Sequence, residues 1–175
     1  MDGQARGSNA ARRAAAHKYR SDQIRLLLVA EAPPTSLDRY FYFEDVSDQD
    51  SLFRYVVRVL LGAVPNRHDK PIWLSRLRDA GVFLIDLSED PYGTSVLKTH
   101  VADCVLRCRE LMPTKIVLIK VTVYDTMFAP LKAAGLPVID CRIPFPGSGQ
   151  QSRFEVLFTE ALNVAGLDLP ILSIK

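Results

Sequence analysis

Short, continuous apolar runs alternate along this chain with segments whose apolar residues recur at helical spacing. Continuous apolar runs are typical of strands buried on both faces of a parallel sheet. They predict strands at residues 24–30 (IRLLLVA), 82–87 (VFLIDL) and 115–119 (KIVLI), with a short fourth strand at 138–140. Each of these runs is separated from the next by at least one helical segment.

The helical segments are recognised by their apolar period and by the residues at their ends. Leu52, Val56, Val59 and Leu60 recur at helical spacing within residues 51–61. Capping residues, prolines and glycines delimit further helices at about 69–80, 101–111, 124–134 and 151–165. Strands that alternate with helices predict a three-layer α/β/α sandwich around a four-stranded parallel sheet. Its functional site is expected at the carboxyl ends of the strands, in the loops after residues 30, 87, 119 and 140.

The size and composition of the chain suit one globular domain. It has 175 residues, of which 48% are hydrophobic and 24% charged. Residues 1–21 are rich in alanine and arginine and lack an apolar period, which predicts a flexible basic arm or a frayed helix. Such an arm either contacts phosphates or is a solvated tail. Residues 22–175 are expected to form the single domain.

Charge and hydropathy indicate which binding partners and which cellular location to expect. The net charge of +2 does not by itself indicate nucleic acid, so any basic surface must be local. No apolar stretch approaches the ~20 residues of a membrane span, and no apolar signal core is present at the N-terminus. We therefore expect no membrane association and a cytoplasmic location.

The cysteines and histidines do not form metal-binding patterns. The cysteines lack the paired spacing of zinc or iron–sulfur sites, and two of them lie four residues apart on one predicted helix face, as buried structural thiols do. The histidines are scattered along the chain. We expect a reduced protein with no metal and no cofactor. The residues concerned are Cys104, Cys108, Cys141, His17, His68 and His100.

Four segments, taken in order, resemble the motifs of the uracil-DNA glycosylase superfamily. The first motif of that superfamily, which one class writes GEAPG, resembles LLLVAEAPP here, and its second-strand segment resembles AGVFLIDLSEDP. The stretch in which a Gly or Lys after the third strand opens a helix resembles KIVLIKVTVYDTMF. The second catalytic motif is similar in position to PFPGSGQQSRF. The resemblance covers residues 22 to 165 and implies the superfamily's fold and the location of its site.

The departures from these motifs concern chemistry. Ala30 replaces the usual glycine of the first motif, and Ala32 stands where the best-known uracil enzymes keep a water-activating aspartate. Phe145 stands at the usual His or Asn of the second motif, and the four iron–sulfur cysteines of the GEAPG class are absent. Asp86 occupies the place of the base-reading asparagine. An ionised aspartate only accepts hydrogen bonds, so the substitution implies an altered choice of base, unless burial raises the pKa and restores a donor. The alternative is that Asp86 caps a helix or braces a loop.

A glycosylase must also stack the flipped base, and an aromatic run follows the first motif. Residues 40–43 read YFYF. In an extended loop alternate side chains point opposite ways, so either Phe41 and Phe43 or Tyr40 and Tyr42 would face the pocket as a stacking platform. The alternative is that all four aromatic side chains cap the core.

Three carboxylates near this loop are candidates for orienting the attacking water. Glu31 aligns with a position that mainly lines the pocket in relatives, while Glu44 and Asp45 follow the aromatic run. A carboxylate near the sugar need only orient water, because an oxocarbenium-like sugar is already electrophilic.

The glycine-rich loop before the last helix is a candidate phosphate site. Glycines allow close backbone approach, and a helix N-terminus presents N–H groups. The candidate contacts to phosphate are Gly147, Ser148, Gly149, Gln151, Arg153 and Lys120, and Gln150 is a candidate contact to the base. The alternative is a plain glycine-rich turn with Ser148 as a helix cap.

These observations together predict a DNA glycosylase that removes a deaminated or modified base. It would be monofunctional, because no lysine is placed as a Schiff-base nucleophile, and it would act on DNA as a monomer. A catalytically inactive member of the fold that binds DNA or a nucleotide is the alternative. A small-molecule α/β enzyme with a phosphate cradle is the third.

Overall fold

The fold is known from a computed structural model, which describes residues 2–46 and 50–171. Three strands and six α-helices are defined within these ranges. The strands are β1 (Leu26–Ala30), β2 (Val82–Asp86) and β3 (Lys115–Leu118). The helices are α1 (Asp2–Lys18), α2 (Ser51–Leu61), α3 (Lys70–Asp79), α4 (Val101–Leu111), α5 (Val121–Ala133) and α6 (Gln151–Val164). Short 3₁₀ turns lie at Leu37–Arg39, Arg67–Asp69 and Gly93–His100.

The strands form a parallel sheet in the order β2-β1-β3, flanked by helices. The chain moves from β1 to β2 on one side and then crosses back past β1 to β3. Right-handed crossovers in opposite directions place their helices on opposite faces of the sheet. In agreement with this, α2 packs against α6 and α4 packs against α5. The α/β class that the hydrophobic pattern predicts is confirmed.

The fourth strand is not confirmed. Two isolated parallel bridges, Ile116 with Val138 and Ile119 with Ile143, occupy the outer side of β3 where the fourth strand was expected. Between them the backbone turns back on itself, because the N–H of Cys141 donates to the carbonyl of Ile139 at 3.1 Å. That local bond uses an N–H and a carbonyl that a regular strand would offer to its neighbour. The described segment therefore pairs with the outer side of β3 at two points only.

Most predicted element boundaries differ little from the structure. The bounds of α2 and α4 agree with the predicted segments, whereas β1 starts two residues later than predicted and α5 starts three residues earlier. The 3₁₀ segment Gly93–His100 was not predicted. No helix in the described part of the chain is both long and apolar enough to cross a membrane.

The segment that the sequence predicts as a flexible arm or a frayed helix contains α1 in the structure. The guanidinium of Arg12 donates to the carbonyl of Pro34 at 3.0 Å, and Arg13 donates to Glu89 at 2.6 Å. Just after the helix, the Tyr19 hydroxyl donates to Glu44 at 2.6 Å. These contacts attach α1 to the loops that follow β1 and β2.

The core lies between the sheet and the helices. All five residues of β1 are buried, as expected of the central strand in a sheet covered on both faces. Phe154 and Phe158 of α6 are fully buried, and their rings lie 5.2 Å apart. Burying each such side chain contributes about 1.5–3 kcal/mol, so β1 and α6 supply a large part of the folding free energy.

The backbone of β2 is satisfied on its outer side by a side chain. The hydroxyl of Tyr42 accepts from the N–H of Leu84 at 2.7 Å and donates to the carbonyl of Leu84 at 2.9 Å. Tyr42 is buried, and burial raises the pKa of its hydroxyl well above the usual value. One phenol thus replaces the two hydrogen bonds that a further strand would make at this point.

A buried ion pair connects the aromatic loop with the starts of α2 and α3. Lys70 is 1% exposed and pairs with Asp50, whose carboxylate also caps α2 by accepting from the N–H of Phe53. The ammonium group of Lys70 also donates to the carbonyl of Tyr40 at 3.1 Å. Burial raises the pKa of Asp50 and lowers the pKa of Lys70, so each charge needs the other.

Removing one partner of this pair is therefore expected to destabilise the fold more than removing both charges. Lys70→Met should lower the free energy of unfolding by about 3–5 kcal/mol, because it leaves Asp50 buried without a counter-charge. The double variant Asp50→Asn with Lys70→Met keeps the helix cap and should lose distinctly less than the sum of the single losses. Urea unfolding of the parent, both single variants and the double variant measures the coupling. Strictly additive losses would show that the pair is not coupled.

Candidate functional site

A cleft of about 1060 Å³ opens at the carboxyl ends of the three strands. Its wall includes Ala30 at the end of β1 and Glu31 just after it, Asp86 at the end of β2, and Lys120 after β3. Gly147 lies in the loop before α6, which closes one side. The order β2-β1-β3 makes β1 the point at which the chain reverses direction across the sheet. Such switch points are the usual location of ligand clefts in parallel α/β proteins.

Asp86 lies at the inner end of this cleft. Its carboxylate has no hydrogen bond to any residue that the structure describes, and its backbone carbonyl accepts from the guanidinium of Arg107 at 2.9 Å. Burial raises the pKa of the Asp86 carboxyl to about 7, and the charges of Arg107 and Arg12 only partly oppose this effect. At neutral pH the group is therefore present in both protonation states, as an acceptor alone and as a donor with an acceptor.

Glu31 is held in place by two partners across the cleft. One carboxylate oxygen pairs with Lys120, and the other accepts from the hydroxyl of Thr122 at 2.7 Å. The side chain of Glu31 is 16% exposed, and that of Lys120 is 39% exposed. The loop after β1 and the start of α5 are thus joined by charge at the wall of the cleft.

The backbone of Lys120 adopts a conformation that non-glycine residues rarely take. Its φ of 85° and ψ of 135° lie in a region that costs about 1–3 kcal/mol for a side-chain-bearing residue. Hydrogen bonds on both sides hold it there: its N–H donates to Ile143, and its carbonyl accepts from Val123 and Tyr124. Strain of this kind persists where the position of a side chain matters, and here it directs Lys120 toward Glu31.

The aromatic run is not extended, so its side chains do not alternate. The N–H of Phe43 donates to the carbonyl of Tyr40 at 3.1 Å, which closes a turn. Tyr40, Phe41 and Tyr42 are buried, and Phe43 packs edge-on against Tyr40. Tyr40 and Phe41 line the cleft, while Phe43 and Tyr42 do not. The run therefore mainly covers the core, with two of its rings reaching the cleft wall.

The two carboxylates after the aromatic run lie away from the cleft. Glu44 is exposed and bonded to Lys18 and Tyr19, and these contacts lower the pKa of its carboxyl. Asp45 is exposed and is not among the residues that line the cleft. The turn at residues 40–43 directs the chain away from the strand ends, which separates both groups from Glu31.

The glycine-rich loop contributes only some of its candidate residues. Gly147, Ser148, Gln150 and Arg153 line the cleft, whereas Gly149 and Gln151 do not. Ser148 has a φ of 51° and Gly149 a φ of 81°, so the loop needs two left-handed residues in succession. The Arg153 side chain has no ion pair with any residue in the described ranges. It is an exposed cation at the start of α6.

Three further cations line the cleft that the sequence did not suggest: Arg39, Arg54 and Arg142. Arg142 is fixed by a two-point contact with Asp125 at 2.9 and 2.6 Å. The first residues of α2 and α5 also reach the cleft, as does the residue before α6, and helix N-termini favour anions. The signals available in the sequence were the position of Arg142 in the loop after residue 140 and that of Arg54 in the first turn of α2.

Within the described part of the chain, no group of three or more His, Cys, Asp or Glu side chains is placed to hold a metal ion. Comparisons with models of protein families, with curated proteins and with solved structures found no match to this chain.

The raised pKa of Asp86 predicts a pH-dependent cost of folding. Between pH 4 and 7 the unfolded chain carries an ionised Asp86 while the folded chain still takes up the proton, so stability due to this group falls as pH rises. Asp86→Asn removes the effect. We expect the variant to gain stability relative to the parent over this range and to exceed it by about 1–2 kcal/mol at pH 8, the partial exposure of the side chain limiting the gain.

Urea unfolding of both proteins at pH 4, 6 and 8 measures this difference. A stability difference that does not change with pH would show that the carboxyl of Asp86 titrates as it does in the unfolded chain.

Proposed function

We propose that this protein is a monofunctional DNA glycosylase that hydrolyses the N-glycosidic bond of a deaminated or modified base. The observation that carries the proposal is the arrangement of the cleft. A carboxyl with a raised pKa lies at its inner end, two aromatic rings lie on its wall, and cationic side chains surround it. A flipped nucleotide needs these three features, to read the base edge, to stack the base and to hold the phosphates.

The proposal includes the fold-level resemblance. On this reading the chain is a divergent member of the uracil-DNA glycosylase superfamily, and residues 138–143 take the place of a fourth strand. The strained backbone of Lys120 supports the comparison, because the superfamily has a Gly or Lys at this position and a φ of 85° is readily adopted by glycine.

Asp86 reads the base in this proposal. Its protonated carboxyl donates one hydrogen bond and accepts another, as the asparagine of uracil enzymes does, and its ionised form accepts only. Because the pKa is about 7, the preferred base edge changes with pH. Tyr40 and Phe41 supply the apolar wall against which the base stacks. Base stacking on such rings contributes about 1–3 kcal/mol.

Glu31 orients the attacking water. The N-glycosidic bond breaks with its electron pair on the base, which departs as an anion and leaves positive charge on the sugar that a nearby carboxylate stabilises. Water then adds to the anomeric carbon, and its proton passes to the departed base. Both oxygens of Glu31 are already bonded, to Lys120 and Thr122, so the carboxylate is fixed in position but has fewer free lone pairs for a water molecule. Glu44 and Asp45 have no part in this proposal because they lie outside the cleft.

A DNA-binding protein of the same fold without catalysis is the second candidate. It is favoured because both carboxylate oxygens of Glu31 are already bonded. It is also favoured because Ala32 and Phe145 stand where the superfamily's catalytic groups are expected. Both candidates use the cationic cleft, and they differ only in whether the bond is cleaved.

The proposal is tested by measuring which modified bases the parent protein and the variant Asp86→Asn remove from DNA. Oligonucleotides that each carry one modified base are incubated with the protein and then treated with alkali. At least one strand should be cut, and Asp86→Asn should shift the preference toward uracil by about 1–3 kcal/mol, because an amide offers a permanent donor beside its acceptor. The parent's own relative activity on uracil should fall as pH rises through 7, and that of the variant should not.

If the protein binds the oligonucleotides but cuts none of them, the glycosylase proposal is wrong and the non-catalytic candidate remains. A protein that neither cuts nor binds them would refute both.

The cationic rim is tested separately by removing Arg153. Arg153→Ala should weaken DNA binding about equally for all sequences and reduce the slope of log affinity against log salt by about one unit, as the loss of one phosphate contact does. Arg109→Ala is the matched control, since Arg109 is also an exposed arginine but belongs to the last turn of α4. If the two variants show the same salt slope as the parent, Arg153 does not contact phosphate.

A further inference from the structure

A second, smaller chamber lies behind the cleft, between α1, the end of β2 and α4. Its volume is about 270 Å³, and Tyr40, Leu84 and Asp86 separate it from the cleft because they line both spaces. Arg12 and Arg20 enter its wall from the N-terminal segment. Nothing in the proposed glycosylase mechanism uses this chamber.

Arg12 is the unusual residue of the chamber. It is only 4% exposed, yet its guanidinium has no carboxylate bonded to it among the described residues. Of its five N–H groups, one donates to the Pro34 carbonyl and one to Asn9, both at 3.0 Å, and the Nε group has no acceptor in the described structure. The ring of Tyr40, 5.9 Å away, compensates part of the charge. Asp86 attracts Arg12 only through space, without an ion pair or hydrogen bond, so burying this cation costs free energy that no bonded counter-ion offsets.

The other charged groups around the chamber do not neutralise Arg12. Glu89 is already paired with Arg13, and Arg107 is bonded to Asp103 and to two backbone carbonyls. Glu110 is exposed on α4. Arg12 and Arg20 therefore face the chamber as arginines that have no ion pair within the described residues, together with the carboxyl of Asp86.

We propose that this chamber is a binding site for a small oxyanion of the phosphate class, with Arg12 as its buried counter-charge and Arg20 at its entrance. Unused guanidinium N–H groups form short, charge-assisted hydrogen bonds with phosphate oxygens. The volume lies below the range of about 300–1,000 Å³ that is usual for drug-sized ligands, so the chamber holds one compact group. The site requires neither Glu31 nor Arg153, although Tyr40 and Asp86 border both this chamber and the cleft.

The position of the chamber also restricts which molecules can place a phosphate group at Arg12. Arg12 is bonded to the Pro34 carbonyl in the loop after β1, and Tyr40 separates the chamber from the cleft. An anion bound to Arg12 would therefore strengthen the attachment of α1 to the loops that follow β1 and β2. The phosphate is either free in solution or the terminal phosphate of a nucleotide that reaches past Tyr40, and the two sources differ in size by a nucleoside.

Binding of two probes, inorganic phosphate and a nucleoside 5′-monophosphate, tests the proposal by calorimetry and by the rise in melting temperature. At least one probe should bind, and Arg12→Gln should weaken it by tenfold or more. Arg20→Gln should weaken the same probe severalfold while the melting temperature without ligand stays at the parent value, because Arg20 makes no ion pair within the described residues. Arg109→Ala, an equal loss of charge at a residue of α4 that does not line the chamber, should leave the affinity unchanged.

Several outcomes would overturn the site. If neither probe binds the parent protein, the chamber is not an anion site. If a probe binds and both Arg12→Gln and Arg20→Gln bind it as the parent does, the anion lies elsewhere. Should Arg12→Gln fail to fold, Arg20→Gln alone decides the question. Loss of oligonucleotide binding in Arg153→Ala with unchanged phosphate binding would separate this site from the cleft.

Discussion

The arrangement of the cleft depends on the buried contact between Lys70 and Asp50. Lys70 holds the carbonyl of Tyr40 and the carboxylate of Asp50 together, so a single ammonium group fixes the aromatic turn against the first turn of α2. Desolvating both charges is expensive, and neither contributes without the other. What the pair provides is a defined geometry. The hydrogen bond from Lys70 holds Tyr40 and Phe41 at the cleft wall, and an apolar pair could not form such a directional bond.

Two further features of the cleft carry an energetic cost. The Lys120 backbone is strained, and Asp86 is kept where burial opposes its charge. Both lie at the ends of strands whose apolar residues are mostly buried, so the stability of the sheet offsets the energetic cost at its carboxyl edge. Local cost beside a well-packed core is the usual pattern at functional sites, and here it coincides with the residues that the proposed chemistry uses.

The sequence predicted what depends on local pattern. The bounds of α2 and α4 follow from their apolar period and their terminal residues, and the strand ends place Asp86 and Lys120 at one edge of the sheet. It left the aromatic run open between a stacking platform and a cover for the core, because the turn at residues 40–43 depends on Lys70, which is distant in sequence. The fourth strand failed, since an apolar stretch at 138–140 does not reveal the local bond between Cys141 and Ile139. Arg12 could not have been selected from a run of alanines and arginines, because only packing shows that it is buried.

The hydroxyl of Tyr42 at Leu84 has a consequence for how the protein behaves at high concentration. An unpaired strand edge is a template on which a second chain can add a strand, and such addition leads to aggregates and exchanged segments. Tyr42 occupies that template at the middle of β2, and its ring stacks at 6.5 Å on Tyr19, next to α1. The N-terminal segment therefore protects the sheet as well as bordering the chamber. A protease that cuts between Tyr19 and β1 would weaken this cover and leave the edge of β2 open to pairing with a strand of another chain.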